Sequence, residues 1–241
     1  MRFMVMHKVD AEMEAGAPPD QRIIQDMGGL IGEGIKSGTV LDGAGLHRSA
    51  ARARLKKSGG KRSVERGPYA GGNELVSGVA MIKAATMDEA IDRAERFADA
   101  LGAPEVEIGP VVEAWDLGLM PKPSVPGGRY LLLCKGGAET EAGSSPGPEE
   151  RAALARLNEE LAAAGVLLKS ELLGPSSQGA RLPSGPGGKR AWVDGPFAEA
   201  KELIAGFTIL KLSSLAEDGG VAVRPGPRLG ENEVDVRLLE G

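Results

Sequence analysis

The chain has 241 residues, 41% of them hydrophobic and 26% charged, a balance that supports a folded core and excludes disorder as the default state. Aromatic residues make up only 3%, against 36 glycines and 16 prolines, so the core must be built from Val, Leu, Ile, Met and Ala between many turns. A net charge of -5 excludes a global attraction to nucleic acid or to an anionic membrane, leaving one local basic stretch from Arg48 to Arg66.

In chain order, no apolar N-terminal segment is long enough for a signal peptide or a membrane span, which points to a cytoplasmic protein. Arg2 to Lys8 reads as a short apolar strand. Met27 to Gly34 is rich in glycine but has no G-x-G-x-x-G after a strand and no Walker lysine, so it reads as a loop or a glycine-rich helix rather than a phosphate cradle. Met87 to Leu101 places Met87, Ile91, Ala94 and Ala98 on one stripe at helical spacing. Pro121 to Gly128 holds three prolines and two glycines, an extended connection that breaks regular structure. Arg129 to Lys135 is a second apolar strand, and its Cys134 is the chain's one cysteine, which excludes an internal disulfide framework. Pro148-Glu149-Glu150 opens a helix with proline and acidic residues in the first turn, Leu154, Leu157 and Leu161 form its stripe, and Gly165 ends it.

The two halves repeat each other. Arg2 to Lys8 aligns with Arg129 to Lys135 at an offset of 127 (from 2 to 129), and Gly59-Gly60-Lys61-Arg62 recurs as Gly187-Gly188-Lys189-Arg190 at an offset of 128 (from 59 to 187). Gly67-Pro68-Tyr69 matches Gly195-Pro196-Phe197, Glu74 to Gly78 matches Glu202 to Gly206, and Glu105 to Ile108 matches Glu233 to Val236. Collinear matches at a nearly constant offset imply a tandem duplication with boundaries at 1–120 and 129–241 and a Pro/Gly linker at 121–128. Each copy reads strand, helix, strand, strand, loop, strand, helix, strand. That order predicts an α+β fold with two ferredoxin-like domains, helices on one face of each antiparallel sheet, and the two sheets facing each other as an intrachain pseudo-dimer.

One helix breaks the pattern. Where copy one has Met87 to Leu101, copy two has Asp218 to Pro227, whose glycines and prolines cannot sustain a full helix. A turn near Leu215 followed by an extended run at Val221-Ala222-Val223 is expected there, leaving an apolar surface on which a homodimer could form.

Asp194-Gly195-Pro196-Phe197-Ala198-Glu199-Ala200-Lys201-Glu202, followed by Gly206-Phe207 and a strand, resembles the signature of the bacterial YCII-related family, which carries the DGPF motif. The resemblance covers essentially all of copy two and reaches copy one through the repeat. It implies a dimeric α+β barrel of two facing sheets with a cleft near the DGPF loop. It also implies a family of which few members have a known reaction and many are encoded beside extracytoplasmic-function sigma factors. Some members pair an Asp with a His in the first helix for hydrolytic or lyase chemistry. This chain has only His7 and His47, neither in a predicted first helix, so that dyad does not carry over.

The residues themselves give two readings of Asp194. Its carboxylate can accept backbone N–H groups and set the turn, or it can stand in the cleft as a ligand group or general base, with Arg190 and Lys201 close in sequence. Copy one has Arg66 in its place, which cannot accept a hydrogen bond, while Gly67, Pro68 and the aromatic Tyr69 remain. That difference favours a ligand role in copy two. Asp194 is thus the best catalytic candidate, and the candidate ligand-binding set is Asp194, Phe197, Lys201, Glu202, Arg190, Arg66 and Tyr69. Glu74 and Glu202 are retained in both copies and are more simply solvated. His7 and Cys134 occupy matching positions, but no His or Cys cluster offers a metal site and no cofactor motif is present. The expected function is binding of an unknown small molecule, with an enzyme reaction beside the DGPF loop as one version of it. The alternative is a non-catalytic regulatory or protein-interaction scaffold, linked to sigma-factor signalling.

Overall fold

The computed structural model describes residues 1–9, 11–17, 21–72, 75–144, 146–183, 191–197, 203–214 and 232–240. The expected turn and extended run at 215–223 lie outside these residues. The described elements are β1 (Arg2–Lys8), α1 (Ala11–Ala15), α2 (Gln21–Ser37), β2 (Val40–Gly45), β3 (Ala53–Ser58), β4 (Lys61–Arg66), β5 (Val76–Ala84), α3 (Met87–Leu101) and β6 (Glu105–Pro110) in the first half. The second half holds β7 (Gly128–Lys135), α4 (Ala138–Glu141), α5 (Pro148–Ala163), β8 (Leu167–Leu172), β9 (Ala180–Leu182), β10 (Val193–Asp194), β11 (Ile204–Lys211) and β12 (Val234–Leu238). The glycine-rich stretch is helical: it forms the middle of α2.

Local chemistry explains the best-defined elements. Thr86 caps α3 by accepting the Glu89 N–H at 3.2 Å, and Gly102 ends it at a φ of 61°, a conformation a side chain would oppose. Its buried residues Ala90, Ile91, Ala94, Phe97 and Ala98 widen the expected stripe. In α5, Leu154, Leu157 and Leu161 are buried as the spacing predicts. Gly59 and Gly60 both adopt positive φ in the tight turn between β3 and β4, the geometry a two-residue hairpin demands.

The fold is α+β, with two six-stranded sheets whose described pairings are antiparallel, a pattern compatible with ferredoxin-like units. Their composition does not follow the linker. The first sheet runs β10-β9-β12-β1-β11-β2 and the second β4-β3-β6-β7-β5-β8. Strands β1 and β2 of the first half therefore complete a sheet whose other strands come from the second half, and β7 and β8 make the reciprocal exchange. A division of the chain at 121–128 cuts both sheets in space.

Alternation along the strands then builds three apolar layers. Helices α3 and α5 cover one face of the second sheet, over Leu55, Ile82, Val106, Ile108 and Leu132. Met4, Met6, Phe207 and Ile209 of the first sheet meet Val79, Met81, Leu131 and Leu133 of the second in a core between the sheets. Phe3, Val5, Leu210, Val234 and Val236 form the layer on the other side of the first sheet. The sheets are also stitched at their margins by bridges from Leu46 to Val111 and from Leu173 to Leu239.

Candidate functional site

The inward faces of β1 and β7 change character along their length. Met4 and Met6 lead to Lys8, and Leu131 and Leu133 lead to Lys135, so each strand carries apolar contacts into the inter-sheet core and ends in a buried ammonium group. Each lysine meets a carboxylate of the opposite half. Lys8 Nζ stands 3.2 Å from Asp235, and Lys135 Nζ stands 3.4 Å from Glu107.

Around Asp235 the second half assembles a polar cluster. Arg181 donates from Nε and Nη2 to the two carboxylate oxygens at 2.5 and 3.0 Å. Its guanidinium carbon lies 4.3 Å from the Phe197 ring centroid, a cation–π contact that places the aromatic of the DGPF motif over the cluster. Phe197 is held by its own backbone, whose N–H donates to Ser176 Oγ at 2.8 Å. Gly195 N–H reaches Gly179 O at 3.2 Å, and the Gly195–Pro196 peptide bond is cis. Glycine is required at 195 because a Cβ would fall 1.8 Å from Ser176 O.

The first half repeats this arrangement almost contact for contact. Gly67 N–H donates to Arg52 O at 3.0 Å, the Gly67–Pro68 bond is cis, and Tyr69 N–H donates to Ser49 Oγ at 3.2 Å. Arg54 lies 4.0 Å from the Tyr69 centroid and donates to Glu107 at 3.3 Å. Arg52 Nη1 donates to the other Glu107 oxygen at 2.8 Å.

Electrostatics bind these groups together. Burial pushes the Glu107 carboxyl up, but Lys135, Arg52 and Arg54 together outweigh it and bring the group down to about 2. Asp235 is likewise raised by burial and lowered on balance by Lys8 and Arg181. The clusters resist the cost of burying charge because every carboxylate has cationic partners.

The sequence candidates fall as follows. Asp194 closes the short strand β10, opposite Ala180, and is exposed. Its carboxylate makes no hydrogen bond or ion pair among the described residues, so the turn is formed without it. Phe197 is buried beside Leu75, and Tyr69 is half-buried over Arg54. Arg66, at the place matching Asp194, turns to Asp88 at the start of α3. Arg190, Lys201, Glu202 and Glu74 lie outside the described residues. The carboxylate–cation clusters were missed as candidates, although their signal was present: charged residues recur at inward positions of otherwise apolar strands in both halves.

A second feature surrounds the linker. Two clefts of about 520 and 450 Å³ share Glu113, Trp115 and Arg129. Arg129 grips Glu113 through two hydrogen bonds of 2.8 and 2.7 Å, and His47 Nε2 approaches Asp116 at 3.2 Å on the wall of the smaller cleft. Sequence inspection could not pair His47 with Asp116, because the two belong to loops far apart in the chain.

The comparisons with known proteins add one match. The model of the YCII-related domain matches residues 129–222, which places in that family's pattern the segment from β7 through the DGPF turn and β11. No curated protein and no solved structure matches the chain.

Proposed function

We propose that this protein binds a small molecule at the rim of the second half's cluster, beside the DGPF loop, with Asp194 as the polar contact and Phe197 over Arg181 as the wall behind it. The observation that supports this reading is the freedom of the Asp194 carboxylate. A turn-forming aspartate would spend its oxygens on nearby backbone N–H groups. Here the β10–β9 ladder and Ser176 hold the turn, and Asp194 remains available to a ligand. We read the two halves as copies of one domain, the first having lost this carboxylate and kept the turn, and the pairing of their sheets as the fused equivalent of a homodimer. Arg190, Lys201 and Glu202 are further proposed contacts of this ligand, from their nearness to Asp194 in sequence, and a general-base role for Asp194 is the catalytic version of the reading.

The test is a metabolite thermal-shift screen, since a ligand that binds only the native state raises its stability by mass action. A hit on the native protein should be lost or weakened at least about tenfold in Asp194→Asn and kept in Arg66→Ala. Equal responses of both variants would overturn the placement. The linker clefts give a second reading, favoured by their volumes, which suit a small molecule. A hit abolished by Trp115→Ala and untouched by Asp194→Asn would move the site there.

A further inference from the structure

The two clusters differ in one exchange that points to a ligand group. In the first half the guanidinium comes from Arg52, just before β3, which lies against Gly109 of β6, a Cβ there falling 3.5 Å from Arg52 Cδ. In the second half it comes from the opposite strand. Arg237 of β12 takes the role, and Gly179 faces it, where a Cβ would meet Val236 O at 2.3 Å and Arg237 Cδ at 3.1 Å. The offset relates Arg52 to Gly179 and Gly109 to Arg237, so arginine and glycine have changed places across the strand pair. Each guanidinium group reaches the backbone carbonyl at the corresponding position of its own half. Arg52 Nε donates to His47 O at 2.5 Å, and Arg237 Nε and Nη2 donate to Gly174 O at 3.2 and 2.6 Å, His47 and Gly174 being 127 positions apart.

What differs is the last partner. Glu141 of α4 spans two groups in the second half: Oε1 accepts from Arg237 Nη2 at 3.1 Å and Oε2 accepts from Ser176 N–H at 2.9 Å. Its counterpart in the first half, Glu14, gives both oxygens to Ser49, accepting from the N–H at 3.2 Å each and from the hydroxyl. Arg52 Nη2 is therefore buried with no acceptor among the described residues, on a side chain with 0% of its surface exposed. A buried charged donor left unmade costs free energy that an acceptor would recover.

We propose that Arg52, with Arg54 and Lys135 beside it, is a receptor for the carboxylate of a small organic acid, which takes the place that Glu141 fills in the second half. Around Glu107, Arg52, Arg54 and Lys135 converge, and Arg54 also meets Glu105 at 3.6 Å, but no carboxylate among the described residues reaches Arg52 Nη2. Around Asp235, Lys8 of the first half and Arg181 converge, Arg181 also meets Glu233 at 3.5 Å, and Arg237 has Glu141. Glu14, which could supply that contact in the first half, is spent on Ser49, and the acceptor that Arg52 Nη2 lacks is the ligand's. Its geometry is set by the chain's own copy of the interaction, one oxygen on the guanidinium.

The experiment is calorimetric titration of the full chain with acetate and, separately, with inorganic phosphate at constant ionic strength. Acetate should bind saturably with one equivalent per chain, and more tightly than phosphate. Arg52→Lys, which keeps the charge and loses the fork, should weaken acetate binding at least about tenfold. Glu141→Gln strips Arg237 of its internal carboxylate and should raise the stoichiometry to two, a readout that stands even where Arg52→Lys does not fold. Asp194→Asn should change neither number, which separates this site from the one beside the DGPF loop. Heat that never saturates, or one equivalent in Glu141→Gln, or undiminished binding in folded Arg52→Lys, would overturn the proposal.

Discussion

His7 and Cys134 stand at matching places on β1 and β7, and burial holds both in their neutral forms. It brings the His7 imidazole down to about 4 and pushes the Cys134 thiol up to about 12. Linkage gives these shifts a consequence. An imidazole whose folded value lies below its unfolded value of about 6.5 supports the fold fully above pH 6.5, and that support is lost as the pH falls toward 4. Glu107, held at about 2, adds a second loss between about 4.5 and 2 as its carboxylate takes up a proton. Denaturant unfolding should therefore show stability declining in two stages on acidification. His7→Cys, which borrows the residue from the matching position, should remove the upper stage, worth about 3 kcal/mol. An unchanged slope between pH 6.5 and 4 in that variant would contradict the assignment.

At the level of elements, the Gly-Pro turns carry both clusters, and their glycines have the least freedom to change. A methyl group at Gly195 would overlap Ser176 O, so Gly195→Ala should cost at least about 2 kcal/mol. Gly29→Ala on α2, where nothing lies within 4 Å, should be neutral or stabilise by up to about 1 kcal/mol. Comparable unfolding midpoints for the two variants would show that the turn yields. The turns were legible in the sequence because Gly-Pro followed by an aromatic recurs at a fixed offset, and α3 and α5 because their apolar spacing matches one buried face. The exchange of β1 and β7 between sheets was not legible. Arg2 to Lys8 and Arg129 to Lys135 share the same alternation, so either strand satisfies the hydrophobic pattern of either sheet, and nothing in a period of two selects the partner. The Arg52 to Arg237 exchange was hidden for a related reason: a residue-by-residue alignment reads it as two losses, whereas in space it is one group supplied from the other side.

On the scale of the whole molecule, the reciprocal exchange makes the halves interdependent. Residues 1–120 alone lack β7 between β5 and β6, and 129–241 alone lack β1 between β11 and β12. Calorimetry should accordingly record a single transition for the full chain, and the two halves produced separately should regain native-like stability only when mixed. Two resolved transitions would show that each half closes on itself. The junction between halves carries one more consequence. Val111 N–H donates to Arg129 O at 2.9 Å, where the chain passes from β6 to β7, and Leu239 N–H donates to Arg2 O at 3.0 Å, where β12 runs beside β1. The two contacts are alike, one spanned by the linker and the other not. A circular permutant that reconnects residue 239 to residue 2 through a copy of 112–128, and opens the chain within 121–128, would keep every strand pairing while reversing which half is synthesised first.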